Sequence, residues 1–288
     1  MKILFVGVFD KDKKSTNTSQ ILSFKRLGHE VTGYNYRTRA RIIGNKQRDE
    51  ELIKLVKERE FDLIVYSKCN VVSKHVFADN RKHSKTCLWF MDPLVSYTQE
   101  MMQKTSLVDY FCCDKLNVLE LALKENKNSF HICEGYDSDL ELPKDCEKKY
   151  DVSFIGNMYG GRREKISQIN HPVKIISNAH GRQHSVEVSK SNININFCTS
   201  QGASDRVYKI LAAGGFLLTD DWLGRRDMFV DKEDLVIFKN IKDLNEKIDF
   251  YMKNPKDRKK IAASGLQKVQ KYTRLNWAKR IVEIYEQL

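Results

Sequence analysis

Apolar positions along this chain fall into short continuous runs set between helical stripes. Lys2–Val8 (KILFVGV) is the first run, and Ser15–Leu27 then carries Ile21, Leu22, Phe24 and Leu27 at helical spacing up to Gly28. His29–Tyr36 alternates as a strand does, whereas Arg37–Arg48 is basic, has no period and predicts a long loop. Asp49–Glu60 puts Leu52, Ile53, Leu55 and Val56 on the inner side of a helix. Phe61–Lys68 is a third strand, Ser73–Lys82 a short helix, and Lys85–Met91 a fourth strand that ends at Asp92-Pro93. A helix over 96–104, a strand over 109–114, a helix over 115–125 and a strand over 130–133 follow. Glu134–Lys149 is dense in charge, has no period and reads as a linker.

The pattern then starts again. Tyr150–Gly156 is a strand, its loop leads into a helix at Arg162–Ile169, and Val173–Ser177, His184–Lys190 and Asn192–Phe197 read strand, helix, strand. Asp205–Asp221 (DRVYKILAAGGFLLTDD) is a helix whose apolar face stops at Gly214-Gly215, then a strand, Phe216–Thr219, closed by two aspartates. Paired glycines let the chain reverse at the helix end and re-enter a sheet. Strand Asp234–Lys239 and helices Ile241–Lys253, Pro255–Tyr272 and Arg274–Leu288 end the chain, with Pro255 suited to a helix start. Strands alternating with helices at this spacing predict α/β domains built on doubly wound parallel sheets. A length of 288 residues suits two of them, with a ligand-binding cleft expected between.

Composition narrows this. With 41% hydrophobic and 10% aromatic residues, 4 prolines and 14 glycines, the chain can bury sizeable cores and is not a disordered or low-complexity type. No apolar run approaches the ~20 residues that span a bilayer. The start, MKILFVGVFDKDKK, lacks a leader-length apolar run and a cleavage site, so it reads as a strand; no stable membrane insertion and a cytoplasmic location are expected. The 7 cysteines form no CxxC pair and read as buried thiols, and no metal site is expected. The net charge of +12 is uneven: residues 1–87 hold 19 Lys/Arg against 10 Asp/Glu, and 88–142 hold 4 against 10. A basic first segment attracts anions such as nucleotides, phosphates or nucleic acid; a lysine-rich solvated surface explains the same charge.

Several segments together carry a family resemblance. DRVYKILAAGGFLLTDD, the strand DLVIFKNIKDL after it, and NPKDRKKIAASGLQKVQKYTRLNWAKRI resemble the C-terminal part of group 1 glycosyltransferases of the GT-B fold. The spore-maturation-protein-like subgroup is the nearest, through a WFMDP-type segment at Trp89–Pro93, GYD at Gly135–Asp137 and DVSFIGN at Asp151–Asn157. The resemblance spans nearly the whole chain and is strongest over 150–285. It implies an N-terminal Rossmann-like acceptor domain over 1–140 and a C-terminal donor domain over 150–273, facing a central cleft. The final helix, 274–288, is expected to cross back to the first domain. It also implies a nucleotide sugar as co-substrate, most naturally a UDP-sugar, with no other cofactor.

On the donor side, Gly156 and Asn157 stand at a strand-to-helix junction where bare amides can hold a diphosphate, with Arg162 or Arg163 pairing to its oxygens; the bland reading is a glycine turn with solvated arginines. The resemblance places a glutamate at each of two positions that are Gln201 and Lys209 here, so both carboxylates are missing. Gln201 can still hydrogen-bond a hydroxyl, while Lys209 pairs with phosphate or faces solvent. Ser204, Asp205 and Arg206 at a helix start suit an anion, Asp205 being equally readable as the N-cap. Asp220, at a strand end, can take sugar hydroxyls or cap a loop.

On the acceptor side, Asp92 at the end of an apolar strand is the candidate general base for an acceptor hydroxyl, or else an Asp-Pro turn. Lys13 and Lys14, Arg37, Arg39 and Arg41, and Lys68 follow successive strands and would emerge on one sheet edge. Tyr34, Tyr36 and Trp89 are candidates for stacking on bases. An anionic acceptor follows, with duplex DNA carrying a modified base as one candidate and a cell-surface polymer as another. The missing carboxylates keep a non-catalytic nucleotide- or nucleic-acid-binding protein of the same fold as the second reading.

Overall fold

The computed structural model describes residues 1–9, 15–199 and 201–288. The chain forms two compact units, Met1–Glu134 with Arg274–Leu288, and Gly135–Thr273.

Unit 1 is a six-stranded sheet of β1 (Lys2–Gly7), β2 (Glu30–Asn35), β3 (Leu63–Ser67), β4 (Lys85–Phe90), β5 (Tyr110–Cys113) and β6 (Ser129–His131). All pairs are parallel, in the order β2-β1-β3-β4-β5-β6. A parallel sheet must be covered on both faces, which is why its central strands read as unbroken apolar runs. On one face Ile3, Phe5 and Trp89 pack with Phe24 of α1 (Thr16–Arg26) and with Trp277 and Ile281 of the last helix, α12 (Arg274–Gln287). On the other, Leu4, Val6, Tyr66, Leu88 and Phe111 meet Leu52 of α3 (Asn45–Glu58), Phe77 of α4 (Lys74–Asn80), Met101 of α5 (Gln99–Ser106) and Val118 of α6 (Leu116–Glu125).

Two expectations are corrected in this unit. The basic stretch after β2 is not a loop but a helix, α2 (Tyr36–Ile43), running into α3 through Gly44. Asn35 caps α2, its side chain accepting from the Thr38 amide at 3.1 Å. The three aromatic rings proposed to stack on bases are buried. Trp89 is inaccessible and meets Trp277 edge-on at 5.3 Å, and Tyr34 and Tyr36 belong to the core beside α3.

Unit 2 repeats the design with β7 (Tyr150–Ile155), β8 (Val173–Ile176), β9 (Ser191–Asn196), β10 (Leu217–Asp220) and β11 (Val236–Phe238), all parallel, in the order β8-β7-β9-β10-β11. Its helices are α7 (Arg162–Ser167), α8 (Arg182–Ser189), α9 (Asp205–Ala212), α10 (Ile241–Lys253) and α11 (Pro255–Val269). At the end of α9, Gly214 takes φ +71° and the Gly215 amide returns to the Ile210 carbonyl at 2.9 Å. A Cβ on Gly215 would lie 2.5 Å from Val188 Cγ1, so close packing excludes a side chain there. The segment after Gly135 is not a free linker. Leu142 and Lys144 amides bond to the Ser185 and Ser189 hydroxyls, and Lys148 Nζ donates to the carbonyls of Ser189 and Ser191 at 2.8 Å.

In each sheet the strand order reverses next to its first strand, between β1 and β3 and between β7 and β9. Crevices outside the C-terminal ends of strands at such reversals are where open α/β sheets bind ligands.

Candidate functional site

At the reversal of unit 2 the backbone after β7 passes through Gly156 with φ +149°, where a Cβ would sit 3.0 Å from the Arg206 guanidinium. Glycine here makes room for that arginine. Arg206, in the first turn of α9, donates Nε to Asn196 Oδ1 at 3.0 Å and Nη2 to the Phe197 carbonyl at 3.4 Å. Arg162, at the start of α7, is buried; it donates to the carbonyls of Asn157 (3.1 Å) and Phe197 (3.5 Å) and to Thr199 Oγ1 (3.3 Å). Both guanidiniums lie over the Phe154 ring, at 5.8 Å for Arg162 and 5.4 Å for Arg206, and Arg162 also covers Tyr159 at 4.8 Å. Neither meets a carboxylate among the described residues. Burial and the neighbouring Arg162 lower the Arg206 pKa, and the Asp205 carboxylate offsets them only in part.

The frame around the pair is polar and satisfied. Asn196 is inaccessible, its Nδ2 donating to Thr219 Oγ1 at 3.0 Å while its Oδ1 also accepts from Ser204 Oγ at 3.0 Å. Ser204 is therefore the N-cap of α9 by position, with its hydroxyl turned to Asn196 instead of capping a helix amide. That displaces Asp205 from the N-cap role; it is the first helical residue and pairs with Lys209 at 2.5 Å, one turn on. Lys209 is thus spent on a helix ion pair rather than presented to a ligand. Gln201 is exposed with φ +59°. Asp220 Oδ1 accepts from the Cys198 amide at 2.5 Å, Oδ2 lies 4.0 Å from Lys165, and burial raises its pKa. Arg163 and Asn157 are exposed, and α7 is only six residues long, so arginine side chains rather than helix amides dominate this end of β7.

At the reversal of unit 1, Lys68 and Cys69 follow β3 with φ +61° and +52°, a strained pair for non-glycine residues. Lys68 Nζ binds Asp92 Oδ1 at 2.5 Å, so the candidate base is held by an ammonium on one oxygen. Asn70 Oδ1 accepts from Tyr36 Oη (3.3 Å) and Arg37 Nη2 (3.4 Å). Arg39 does not join them: α2 turns it to the opposite side from Arg37 and Arg41, where it pairs with Glu51 of α3. Arg41 is exposed, and Lys13 and Lys14 lie outside the described residues. Among the described residues no group of three His, Cys, Asp or Glu side chains could hold a metal ion, and no helix is long and apolar enough to cross a membrane.

A profile of glycosyl transferase-like proteins matches residues 141–286, just over half of the chain. The chain belongs to the glycosyl transferase-like family. The enzyme shares its fold with solved glycosyltransferase structures. Anabaena Alr3699/HepE in complex with UDP and glucose superposes with a TM-score of 0.74 at 11% identity over 100% of both chains. Sucrose-phosphate synthase of Thermosynechococcus elongatus gives 0.72 at 11% identity over 100% of this chain and 98% of its own. The T4 phage BGT in complex with its UDP-glucose substrate gives 0.66 at 11% identity over 99% and 100%. No curated protein matches the sequence. The fold is α/β of the GT-B type, two Rossmann-like parallel-sheet units.

Within this glycosyltransferase, the structure gathers Gly156, Asn157, Arg162, Ser204 and Arg206 at one reversal, and Lys68, Asp92 and Arg37 at the other. Arg163 is exposed, Lys209 is paired with Asp205, and the Trp89 ring is packed in the core against Trp277. Sequence reading missed Asn196, whose place at the last position of an Asn-alternating strand was the available signal, and Phe154, hidden in an ordinary apolar run. It also missed Asn70, which lies in a stretch without pattern.

Proposed function

We propose that the enzyme transfers a sugar from a UDP-sugar to a hydroxyl of an anionic acceptor, and that Arg162 and Arg206 hold the donor diphosphate. One observation carries this reading: two adjacent guanidiniums at the β7/β9 reversal hydrogen-bond to neutral acceptors and form no ion pair with a carboxylate among the described residues. Stranding positive charge away from water costs several kcal/mol per ion unless an anion compensates it, and a diphosphate supplies one. The structural neighbours whose printed names include UDP, UDP-glucose or UDP with glucose support the uridine nucleotide. In the transfer, the acceptor oxygen bonds to the anomeric carbon as the carbon–phosphate-oxygen bond breaks. UDP leaves with its charge on the two arginines, and the acceptor hydroxyl gives its proton to a base, for which Asp92 of unit 1 is the candidate. Lys68 keeps one oxygen of that carboxylate fixed. The Trp89–Pro93 and Asp151–Asn157 segments support placing the enzyme in the spore-maturation-protein-like subgroup.

The test is turnover of a panel of UDP-, GDP- and ADP-sugars, read as nucleoside diphosphate released. Release from a UDP-sugar that collapses in Arg206→Gln supports the reading; no release and no stabilisation by any nucleotide sugar overturns it.

Duplex DNA is the acceptor favoured by a specific observation. The basic excess of residues 1–87 accompanies a fold shared with a DNA-modifying beta-glucosyltransferase. Duplex binding should then weaken steeply with salt. Binding that ignores salt, or is absent, removes DNA from the reading.

A further inference from the structure

Two buried cations in unit 1 are spent on backbone carbonyls. Lys104 of α5 is inaccessible, and besides pairing with Glu100 at 2.7 Å it donates Nζ to the carbonyls of Asn70 (2.8 Å) and Cys69 (3.3 Å). Arg48 of α3 is inaccessible too; it pairs with Asp49 at 2.6 Å and donates Nη2 to the Val71 carbonyl at 2.7 Å. Three successive carbonyls, 69 to 71, are thus drawn inward onto ammonium and guanidinium.

The peptide plane dictates the consequence. No peptide bond here is cis, so each N–H points opposite to the carbonyl of its own unit. With the Cys69 and Asn70 carbonyls turned to Lys104, the amides of Asn70 and Val71 point away from that ammonium, and both residues are exposed. Neither amide has an acceptor among the described residues, whereas the next one, of Val72, returns to the Cys69 carbonyl at 3.1 Å. The Asn70 side chain adds a third donor: its Oδ1 is already occupied by Tyr36 and Arg37, which leaves Nδ2 facing out. Arg37 stands alongside, and the neighbouring carboxylates are each paired with a cation, Asp92 with Lys68, Asp49 with Arg48 and Glu100 with Lys104.

We propose that the Asn70–Val71 turn is a phosphate-binding subsite of unit 1. The two main-chain amides, Asn70 Nδ2 and Arg37 would bind a phosphoryl group carried by the acceptor, and Lys104, which holds the carbonyls of the same two peptide units, acts as the positioning residue that aims the amides. Main-chain and side-chain donors of this kind suit an oxyanion, and the guanidinium of Arg37 suits a phosphoryl group. The inference deepens the acceptor side of the reading above and is independent of the donor arginines.

The test is an amide-resolved NMR titration of the full chain, first with inorganic phosphate, then with dimethyl phosphate for a phosphodiester and with acetate for a carboxylate. Saturable shifts of the Asn70 and Val71 amides are expected with phosphate. Asn70→Asp keeps the acceptor for Tyr36 and Arg37 but replaces the Nδ2 donor by negative charge, and should weaken phosphate roughly tenfold or more. Arg37→Ala, at an exposed position, should weaken it less. A stronger response to dimethyl phosphate than to phosphate assigns the group to a diester such as a nucleic-acid backbone; the reverse assigns it to a monoester. Acetate binding more tightly than either phosphate overturns the assignment, as does unaltered phosphate affinity in Asn70→Asp. Silent Asn70 and Val71 amides alongside intact UDP binding would sink this inference and leave the donor reading standing.

Discussion

Arg206 lies over Phe154 with Asn196 and the Phe197 carbonyl as its acceptors, and Gly156 leaves the space it fills. Gly156→Ala both strains a backbone at φ +149° and crowds the guanidinium. It should therefore weaken UDP binding while leaving the fold cooperative, which isothermal titration and a denaturant melt can read together. Asp92→Asn removes the proton acceptor but keeps the shape of the turn. Its kcat should fall by about 10²-fold or more with UDP affinity unchanged, and unchanged turnover would remove Asp92 from the chemistry. His184 of α8 gives a pH prediction. Its ring is buried with neither nitrogen hydrogen-bonded, and burial pushes its pKa down from 6.5 to about 3. A depressed histidine stays neutral in the folded chain while the unfolded chain takes up a proton. Its contribution is complete above about pH 6.5 and is lost as pH falls toward 3, at up to about 1.4 kcal/mol per pH unit. His184→Leu should flatten that acid limb in urea melts at pH 4 to 7; an unchanged slope would assign the acid sensitivity elsewhere.

Among the elements, what the sequence made legible and what it hid have physical causes. The strands and most helices carry their period because a parallel sheet buries both faces and its covering helices bury one. α2 was invisible because it buries almost nothing. Of its residues only Tyr36 is buried, Ile42 is exposed, and the helix depends on the Asn35 cap and the Arg39–Glu51 pair. Asn35→Ala should cost about 1 kcal/mol, measured by denaturant unfolding, and should disturb Arg37 without touching unit 2. Trp89 was misassigned for the opposite reason: a ring at a strand end resembles a stacking platform until its partner, Trp277 from the far end of the chain, is placed against it. Trp89→Ala should cost about 3 to 5 kcal/mol of stability, whereas a substrate-stacking residue would cost affinity and leave stability intact. Arg162 and Arg206 were legible as residue types beside strand-to-helix junctions, but that neither forms an ion pair among the described residues emerges only from the three-dimensional arrangement.

For the whole molecule, two sheets of like strand order each present a reversal, and each reversal carries cations of its own. Arg162 and Arg206 occupy one; Lys68, Arg37 and the Asn70–Val71 amides occupy the other. The family fixes the reaction class, and with Gln201 and Lys209 where the resemblance implies carboxylates, the proposed reading puts donor recognition on the arginine pair. Isothermal titration of UDP into the wild-type chain and into Arg206→Gln tests this most directly, with UMP as the ligand that lacks the second phosphate. The account predicts UDP binding that drops about 10- to 100-fold in the variant, with UMP bound weakly and nearly alike by both. Equal UDP affinity in the two folded proteins would contradict it.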